Sequence, residues 1–275
     1  MPNLSIRPIN TGYLLTSAGQ FLFHQSVLKY RKTLMRPRME VPVFAFLIQG
    51  KGVLALVDTG MAPTEHARRH HFASAHQPEG MAVHEQLKKI GLLPEDIDLI
   101  ILTHLHWDHS FYLDKFTRAA IYAHEKECAF ARDPIPLLHK AYEHPSLGLK
   151  PHFEGIDIIP IHGELELMPG ISLLETPGHS PGHISVVVET AAGAYLCAGD
   201  SILVPENMTP VPELGYDISP PSFFCDIVAT WHSIAKQKSR VKDASFVLCS
   251  HDPELEKRIR TRPSLGLEKT EFVQL

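Results

Sequence analysis

The chain has 275 residues, of which 44% are hydrophobic and 21% charged, with a formal net charge of −5 at pH 7. These values are typical of a globular protein and exclude a disordered, collagen-like or coiled-coil chain. The negative balance gives no electrostatic reason to bind nucleic acid or an anionic membrane. At roughly 150 residues per domain the length allows one large domain or two small ones. Because no linker or repeat divides the chain, we predict a single domain over residues 1–275.

The apolar stretches are far shorter than the roughly 20 residues that cross a bilayer, and residues 1–8 lack the pattern of a secretion signal. We therefore predict a cytoplasmic protein. The four cysteines, at positions 128, 197, 225 and 249, are too scattered for a Cys-x-x-Cys metal clip or a small disulfide framework. Histidine is unusually frequent, at 18 of 275 residues, which raises the expectation of metal chemistry.

The predicted elements alternate between strands and helices along the chain. Apolar and β-branched runs predict strands at 41–48, 53–57, 99–102, 120–123, 156–161, 171–175, 184–189, 194–197 and 246–248. Helical spacing predicts helices at 81–90, 125–131, 223–238 and from Pro253 onward. Strand-rich stretches followed by helices occur once in each half. This pattern predicts an α/β (α+β) fold, an αββα sandwich of two mixed sheets with helices on the outer faces.

Three segments that are interrupted by proline, 25–40, 132–154 and 205–221, are predicted to be irregular. Loops of this length often form the walls or lids of functional sites. We expect the segments 25–40 and 205–224, together with Trp107, to surround a pocket.

A dense cluster of metal-binding residue types follows the predicted strand 99–102. Residues 103–110 read Thr-His-Leu-His-Trp-Asp-His-Ser. In an extended segment alternate side chains share a face, so His104, His106 and Asp108 can converge, and a turn can bring His109 beside them. Imidazole nitrogens and carboxylates are ligands of zinc and similar divalent ions. Buried histidines without such a role would lack polar partners, which is costly.

Three further segments each place a candidate ligand after a predicted strand. Residues 176–183 read Thr-Pro-Gly-His-Ser-Pro-Gly-His, and we take His179 as the ligand and His183 as a structural or supporting residue. Asp200 follows the strand 194–197, and His251 follows the strand 246–248. Together with the first cluster these residues make a set of seven.

The HxHxDH segment, TPGHSPGH, the later Asp200 and the SHD at 250–252 resemble the metallo-β-lactamase superfamily, whose fold is an αββα sandwich. Within it, residues 39–61 and these motifs resemble the quorum-quenching N-acyl-homoserine lactone lactonases. The resemblance implies two divalent metal ions, zinc by default, with iron, cobalt or manganese as alternatives. It implies the following ligands: His104, His106 and His179 for one ion, Asp108, His109 and His251 for the other, and Asp200 for both. It also implies that Asp58 steadies a ligand histidine.

Two features depart from the lactonase pattern. Ser110, Phe111 and Tyr112 replace the usual glycine pair, and Leu203 stands where such lactonases carry a tyrosine that hydrogen-bonds the lactone carbonyl. Candidate substrate-binding residues are therefore Trp107, Tyr216 and the Leu203 position itself, with Tyr112 as a second possible donor. A basic stretch in the first loop would favour a substrate carboxylate if it pointed inward; it comprises Lys29, Arg31, Lys32, Arg36 and Arg38.

The function that this reading predicts is a dinuclear metal-dependent hydrolase of the ester-hydrolase class, which opens a lactone by attack of a metal-bridging hydroxide. Asp108 is the candidate proton donor to the leaving oxygen, and Asp200 the second catalytic residue. A metal-dependent thioesterase or carboxylic ester hydrolase is the main alternative, because Leu203 removes the feature most particular to lactones. A metal-containing binding module without turnover is a further alternative. Expected partners are a small lactone or ester and, at most, a second copy in a homodimer.

Overall fold

The computed structural model describes residues 4–17, 19, 22–31, 38–50 and 52–266. The strands are β1 (Ser5–Thr16), β2 (Met39–Gly50), β3 (Val53–Val57), β4 (Leu99–Ile101), β5 (Ala120–His124), β6 (Ile158–Ile161), β7 (Leu165–Met168), β8 (Ile171–Glu175), β9 (Ile184–Thr190), β10 (Gly193–Gly199) and β11 (Val247–Cys249). The α-helices are α1 (Gln25–Leu28), α2 (Thr64–His70), α3 (Val83–Lys89), α4 (Glu125–Arg132), α5 (Ile227–Lys238) and α6 (Pro253–Thr261).

These strands form two mixed sheets. The first has six strands in the order β1-β2-β3-β4-β5-β6, and the second has five in the order β11-β10-β9-β8-β7. In the first sheet β1, β2 and β3 are antiparallel, while β3 to β6 are parallel. In the second, β10 and β11 are parallel and the remaining pairs are antiparallel.

Alternation along the strands explains the layers. Phe44 and Phe46 of β2 point into a core that they share with Val186 and Val188 of the second sheet. Since successive side chains of a strand face opposite sides, Leu47 lies on the outer face of the first sheet. Each face of β2 is therefore buried, which accounts for its continuous apolar sequence.

Helices cover both outer faces. Leu87 of α3 and Cys128 of α4 pack on the first sheet, and Ile234 of α5 packs on the second, against Leu196. The predicted αββα sandwich is confirmed. No helix in the described part of the chain combines the length and apolar character needed to cross a bilayer.

Several elements differ from the prediction. Strand β1 was not predicted, because Pro8 and Gly12 interrupt its apolar run, but it pairs with β2 along nearly its whole length. Helix α5 begins at Ile227 instead of 223, because the Asp226 side chain accepts hydrogen bonds from the backbone of Val228 and Ala229 and so starts the helix there. The segment 25–40, expected to be irregular, contains α1 and the start of β2.

The topology gathers strand ends at one place. The segments that follow β3, β4, β10 and β11 begin where the parallel strands of the two sheets end. The loop between β8 and β9 lies beside these segments. Because the carboxyl ends of parallel strands meet at one edge of a sheet, these five segments can share one site.

Candidate dinuclear metal site

All seven predicted metal ligands are buried and come together at this edge. Three groups each have ligand atoms within 4.8 Å of one another: His104, His106 and His179; His104, His109 and Asp200; and Asp108, His109 and His251. No member of the set is more than 8% exposed. Four separate segments of the chain therefore converge on one volume.

Asp200 lies between the two sets of histidines. Its Oδ1 is 3.1 Å from Nε2 of His109 and 3.3 Å from Nε2 of His251, while its Oδ2 is 3.5 Å from Nε2 of His179. Ligand atoms bound at 2.0–2.1 Å in a tetrahedral site lie about 3.3 Å from one another. The spacing around Asp200 therefore fits a set of metal ligands, with Oδ1 facing His109 and His251 and Oδ2 facing His179.

Hydrogen bonds at Nδ1 orient four of the histidines. Nδ1 of His109 lies 2.9 Å from Oδ2 of Asp58, and Nδ1 of His251 lies 2.8 Å from the carbonyl oxygen of Pro42. Nδ1 of His179 lies 3.1 Å from the carbonyl oxygen of Phe223, and that of His104 lies 3.0 Å from Oγ1 of Thr103. Such outer hydrogen bonds fix the ring and leave Nε2 for a cation.

Asp58 supports this arrangement from the end of β3. It is fully buried, has a left-handed backbone (φ 61°), and accepts hydrogen bonds from the Thr103 backbone and hydroxyl as well as from His109. Aspartate tolerates this backbone region better than most residues. The structure thus places the Asp58 carboxylate where the resemblance implied, against a predicted ligand histidine.

Unpaired polar atoms test whether this site fits a metal. Among the described residues, Nε2 of His104 and Nε2 of His106 are buried and have no hydrogen-bond partner. Leaving such atoms without partners costs free energy, so buried polar groups are normally paired or coordinate metals. The donor set, the spacing and these unsatisfied atoms fit a pair of divalent cations.

Burial and neighbouring charges shift the pKa values of the candidate ligands in opposite directions. Burial alone would lower the pKa of His109 and of His251, but Asp200 raises both above the ordinary histidine value. Burial and the neighbouring imidazoles hold the pKa of His104 and of His106 well below the ordinary histidine value, so both rings are neutral. Burial alone would raise the pKa of Asp200, but His109 and His251 hold it well below its usual range. Neutral imidazoles and an ionised carboxylate are the forms in which these side chains ligate.

The comparison with known proteins agrees with this site. The sequence model of the metallo-β-lactamase superfamily matches residues 38–251. The chain belongs to the metallo-β-lactamase superfamily. The N-acyl homoserine lactonase AiiA of Bacillus thuringiensis subsp. kurstaki is 30% identical over 236 residues, which cover 82% of this chain and 87% of that protein.

Solved structures show the same relationship within the superfamily. An N-acyl homoserine lactone hydrolase with the product N-hexanoyl-L-homoserine bound at its catalytic metal center matches with a TM-score of 0.70 and 25% identity, covering 94% of this chain and 97% of that one. AidC, a dizinc quorum-quenching lactonase, shares the fold with a TM-score of 0.68 and 20% identity, over 92% of this chain and 89% of its own.

A cavity of about 200 Å³ opens onto the candidate metal site. Its polar lining includes Asp108, Asp200 and His106, together with His71 and Lys140. The apolar lining consists of Leu14, Phe72, Trp107, Leu137, Leu138, Ala141 and Phe223. A mostly apolar cleft with a few polar groups at one end is typical of small-molecule sites.

Three predicted substrate-contacting positions lie away from this lining. Leu203 is fully buried in an apolar cluster, and the Tyr216 ring packs edge-on against Trp231 at 5.4 Å. The Tyr112 hydroxyl donates a hydrogen bond to Oε1 of Gln77 at 2.6 Å. Of the aromatic residues proposed from sequence, Trp107 is the one that the structure places in the cavity wall.

The basic residues of the first loop do not line the cavity where the structure describes them. Arg31 donates to the carbonyl of Pro210, Lys29 lies 4.6 Å above its neighbouring tyrosine ring, and Arg38 borders a different cavity. Lys32 and Arg36 lie outside the described residues. Among the described residues, the positively charged side chain that lines the cavity is Lys140. The sequence analysis did not identify it because it lies in no recognisable motif.

A second cluster of histidines lies behind the cavity wall. Glu143 accepts hydrogen bonds from His71 (2.8 Å), His152 (3.2 Å) and His66, and the His71 ring stacks on Trp107 with centroids 4.1 Å apart. The imidazole nitrogens that face Glu143 are hydrogen-bonded to it, whereas Nε2 of His104 and Nε2 of His106 have no hydrogen-bond partner among the described residues. We therefore interpret this cluster as a support for Trp107.

Proposed function

We propose that this chain is a dinuclear metal-dependent hydrolase that opens the lactone ring of N-acyl-homoserine lactones or similar lactones. The observation that carries the proposal is the meeting of seven ligand side chains at one end of a largely apolar cavity. The lactonase relative at 30% identity over 82% of the chain supports the same chemistry.

The ligand assignment follows the two groups around Asp200. His104, His106 and His179 would hold one cation, Asp108, His109 and His251 the other, and Asp200 would contribute one oxygen to each. When bound, the cations supply a hydroxide at neutral pH and stabilise negative charge on substrate oxygens. Zinc suits this nitrogen and oxygen donor set, and iron, cobalt and manganese also accept it.

Asp108 is placed to handle a proton. Its side chain is 11% exposed, borders the cavity, and has Oδ2 3.8 Å from Nε2 of His251. A carboxylate that borders the substrate cavity can accept the proton that the attacking water loses and donate it to the departing alkoxide oxygen. Replacement of Asp108 with Asn should lower kcat strongly with metal content retained, and unchanged turnover would exclude this role.

The cavity wall supports an acyl chain as the other half of the substrate. Seven apolar side chains surround the approach to the site, including Trp107 and the exposed Leu137. Burial of an alkyl chain contributes about 0.8 kcal/mol per methylene. We therefore expect kcat/KM to rise with acyl length until the chain extends past the cavity.

A broader ester or thioester hydrolase is the second candidate. It is favoured by two observations: tyrosine is absent among the described residues that line the cavity, and position 203 is a buried leucine. Without a hydroxyl to recognise the lactone carbonyl, the site would depend more on its cations and less on the ring.

One experiment separates these candidates. Hydrolysis is followed in a pH-stat with the metal-loaded protein and a panel of short and long N-acyl-homoserine lactones, aryl lactones, open-chain esters and thioesters. A preference for acyl-homoserine lactones of at least tenfold in kcat/KM supports the lactonase. Equal rates on lactones and esters would favour the broader hydrolase. Tight ligand binding without product would contradict both.

A further inference from the structure

A single buried carboxylate on α4 contacts both segments that carry the first set of metal ligands. Glu127 has no exposed surface. Its Oε1 accepts hydrogen bonds from the backbone N–H of Leu105 at 3.0 Å and from the Tyr142 hydroxyl at 2.8 Å. Its Oε2 accepts from the Ser180 hydroxyl at 2.6 Å and from the backbone N–H of Gly182 at 3.3 Å. The carboxylate is therefore fully paired.

The donors to Glu127 sit beside metal ligands in the chain. Leu105 lies between His104 and His106, while Ser180 follows His179 directly. Hydrogen bonds to a carboxylate are stronger than hydrogen bonds between neutral groups. Their geometry fixes the position of the backbone that donates them. We propose that Glu127 is a positioning residue that sets the separation of the two loops and thereby builds the binding site of the first metal ion.

The glycine of the second motif is explained by the same contact. A Cβ atom on Gly182 would lie 2.0 Å from the backbone nitrogen of Glu127 and 2.5 Å from its Cα. Because backbone atoms cannot move aside cheaply, only glycine allows α4 to approach the loop closely enough for this carboxylate to reach it. In TPGHSPGH, Ser180 and Gly182 therefore make the contact with α4, while His179 is the predicted metal ligand.

Tyr142 connects Glu127 to the imidazole ring of His106. Its hydroxyl donates to Glu127, and its ring packs edge-on against His106 with centroids 4.7 Å apart. Burial and the adjacent Glu127 raise the pKa of Tyr142 well above its ordinary value, so the hydroxyl keeps its proton and remains a donor. Glu127 thus acts on His106 from the backbone side and through the tyrosine ring.

The second set of ligands has other supports. His109 is oriented by Asp58, and His251 by the carbonyl of Pro42. None of the four donors to Glu127 is a residue adjacent to His109 or His251. The loss of Glu127 should therefore weaken the first metal site more than the second.

The test measures metal affinity and requires no substrate, although it rests on the ligand assignment of the proposed function. Zinc is titrated into the full-length protein against a competing chromogenic chelator, with E127Q compared in two backgrounds. H251A disables the second site and reports on the first, and H179A disables the first and reports on the second. Gln keeps the shape of Glu, but its NH2 group replaces a carboxylate oxygen and cannot accept the two hydrogen bonds made to that oxygen.

We expect E127Q to weaken zinc binding about 10- to 100-fold in the H251A background, which is typical of lost outer contacts, and by less than threefold in the H179A background. The matched control is E125Q, which alters an exposed carboxylate on the same helix and should change neither value. If E127Q does not fold, S180A removes one donor and should give the same selectivity with a smaller loss.

Equal weakening in both backgrounds would overturn the proposal, because a merely structural role affects both sites alike. Unchanged zinc affinity in the H251A background would overturn it as well. If the unmutated protein binds fewer than two zinc ions, the ligand assignment itself fails and the proposal falls with it. The unmutated titration thus separates the two failures.

Discussion

The Asp58 carboxylate and the His109 imidazole form a fully buried pair, with Oδ2 and Nδ1 2.9 Å apart. Because the same carboxylate also accepts two hydrogen bonds from Thr103, it connects the end of β3 to the turn that holds four of the predicted ligands. The position of the His109 Nε2 atom, 3.1 Å from Asp200, depends on this connection.

Replacement of Asp58 with Asn should therefore loosen His109. An amide is a weaker acceptor than a carboxylate, and changes of this kind typically cost 10- to 100-fold in metal affinity or activity. We expect metal content below that of the unmutated protein after dialysis, measured by elemental analysis, and a matching fall in kcat/KM. The control is Asp98→Asn, an exposed carboxylate that accepts a backbone hydrogen bond from Leu54. Full metal content and full activity in D58N would contradict the role of Asp58.

The exposed leucine at the mouth of the cavity should govern acyl-chain preference. Leu137 is 84% exposed and lines the cavity, so a long acyl chain would cover it while a short one would not reach it. Loss of part of a leucine contact costs about 1 kcal/mol, or roughly fivefold. We expect Leu137→Ser to lower kcat/KM for long-chain lactones by this factor and to leave short-chain lactones unchanged.

Leu147 supplies the matched control for that comparison. It is also exposed, at 51%, but does not line the cavity. Leu147→Ser should leave the whole acyl series unchanged. A uniform fall across all chain lengths in L137S would mean that Leu137 acts on the metal site and not on the tail.

A tyrosine introduced at position 203 should not improve the recognition of lactones. Leu203 is fully buried in the cluster that contains Trp107, and it is outside the cavity lining. Insertion of a larger side chain into a packed core costs about 1–3 kcal/mol. We expect Leu203→Tyr to lower the free energy of unfolding by this amount without raising kcat/KM, whereas Leu203→Met should be close to neutral. A rise in lactonase kcat/KM in L203Y would show that the new hydroxyl reaches the substrate.

The fold, and the residues that the structure brings together as candidate ligands, could be predicted from sequence because their signals are local. The continuous apolar run of β2 and the dense HxHxDH motif each lie within a dozen residues. Glu127 and Glu143 gave no such signal, since their importance comes from partners far along the chain. An isolated glutamate in a helix or loop reads as a solvated surface residue until tertiary contacts bury it. The same reason hid β1, whose pairing with β2 overrides its broken apolar pattern.

Glu143 provides a pH-dependent prediction. Burial alone would raise the pKa of its carboxyl, but hydrogen bonds from His152 and His71 hold it below the ordinary value. A carboxylate whose pKa is lower in the folded than in the unfolded state stabilises the fold above the unfolded value of about 4.3. That contribution disappears as the pH falls from about 4.3 towards the folded-state pKa. Stability should therefore depend on Glu143 at neutral pH and not in strong acid.

A hydrogen bond to a charged group typically contributes about 1.5–3 kcal/mol to stability. We expect Glu143→Gln to lower the free energy of unfolding by about this amount at pH 7, measured by urea denaturation, and the difference to shrink below pH ~4.3. The control Glu65→Gln alters an exposed ion pair with Arg69 and should change stability by less than about 1 kcal/mol at any pH. Because His71 joins Glu143 to Trp107, E143Q should also raise KM for long-chain lactones more than it lowers kcat. A difference in unfolding free energy that stays constant from pH 7 to pH 3 would show that the Glu143 carboxylate is not the charged group that holds this cluster together.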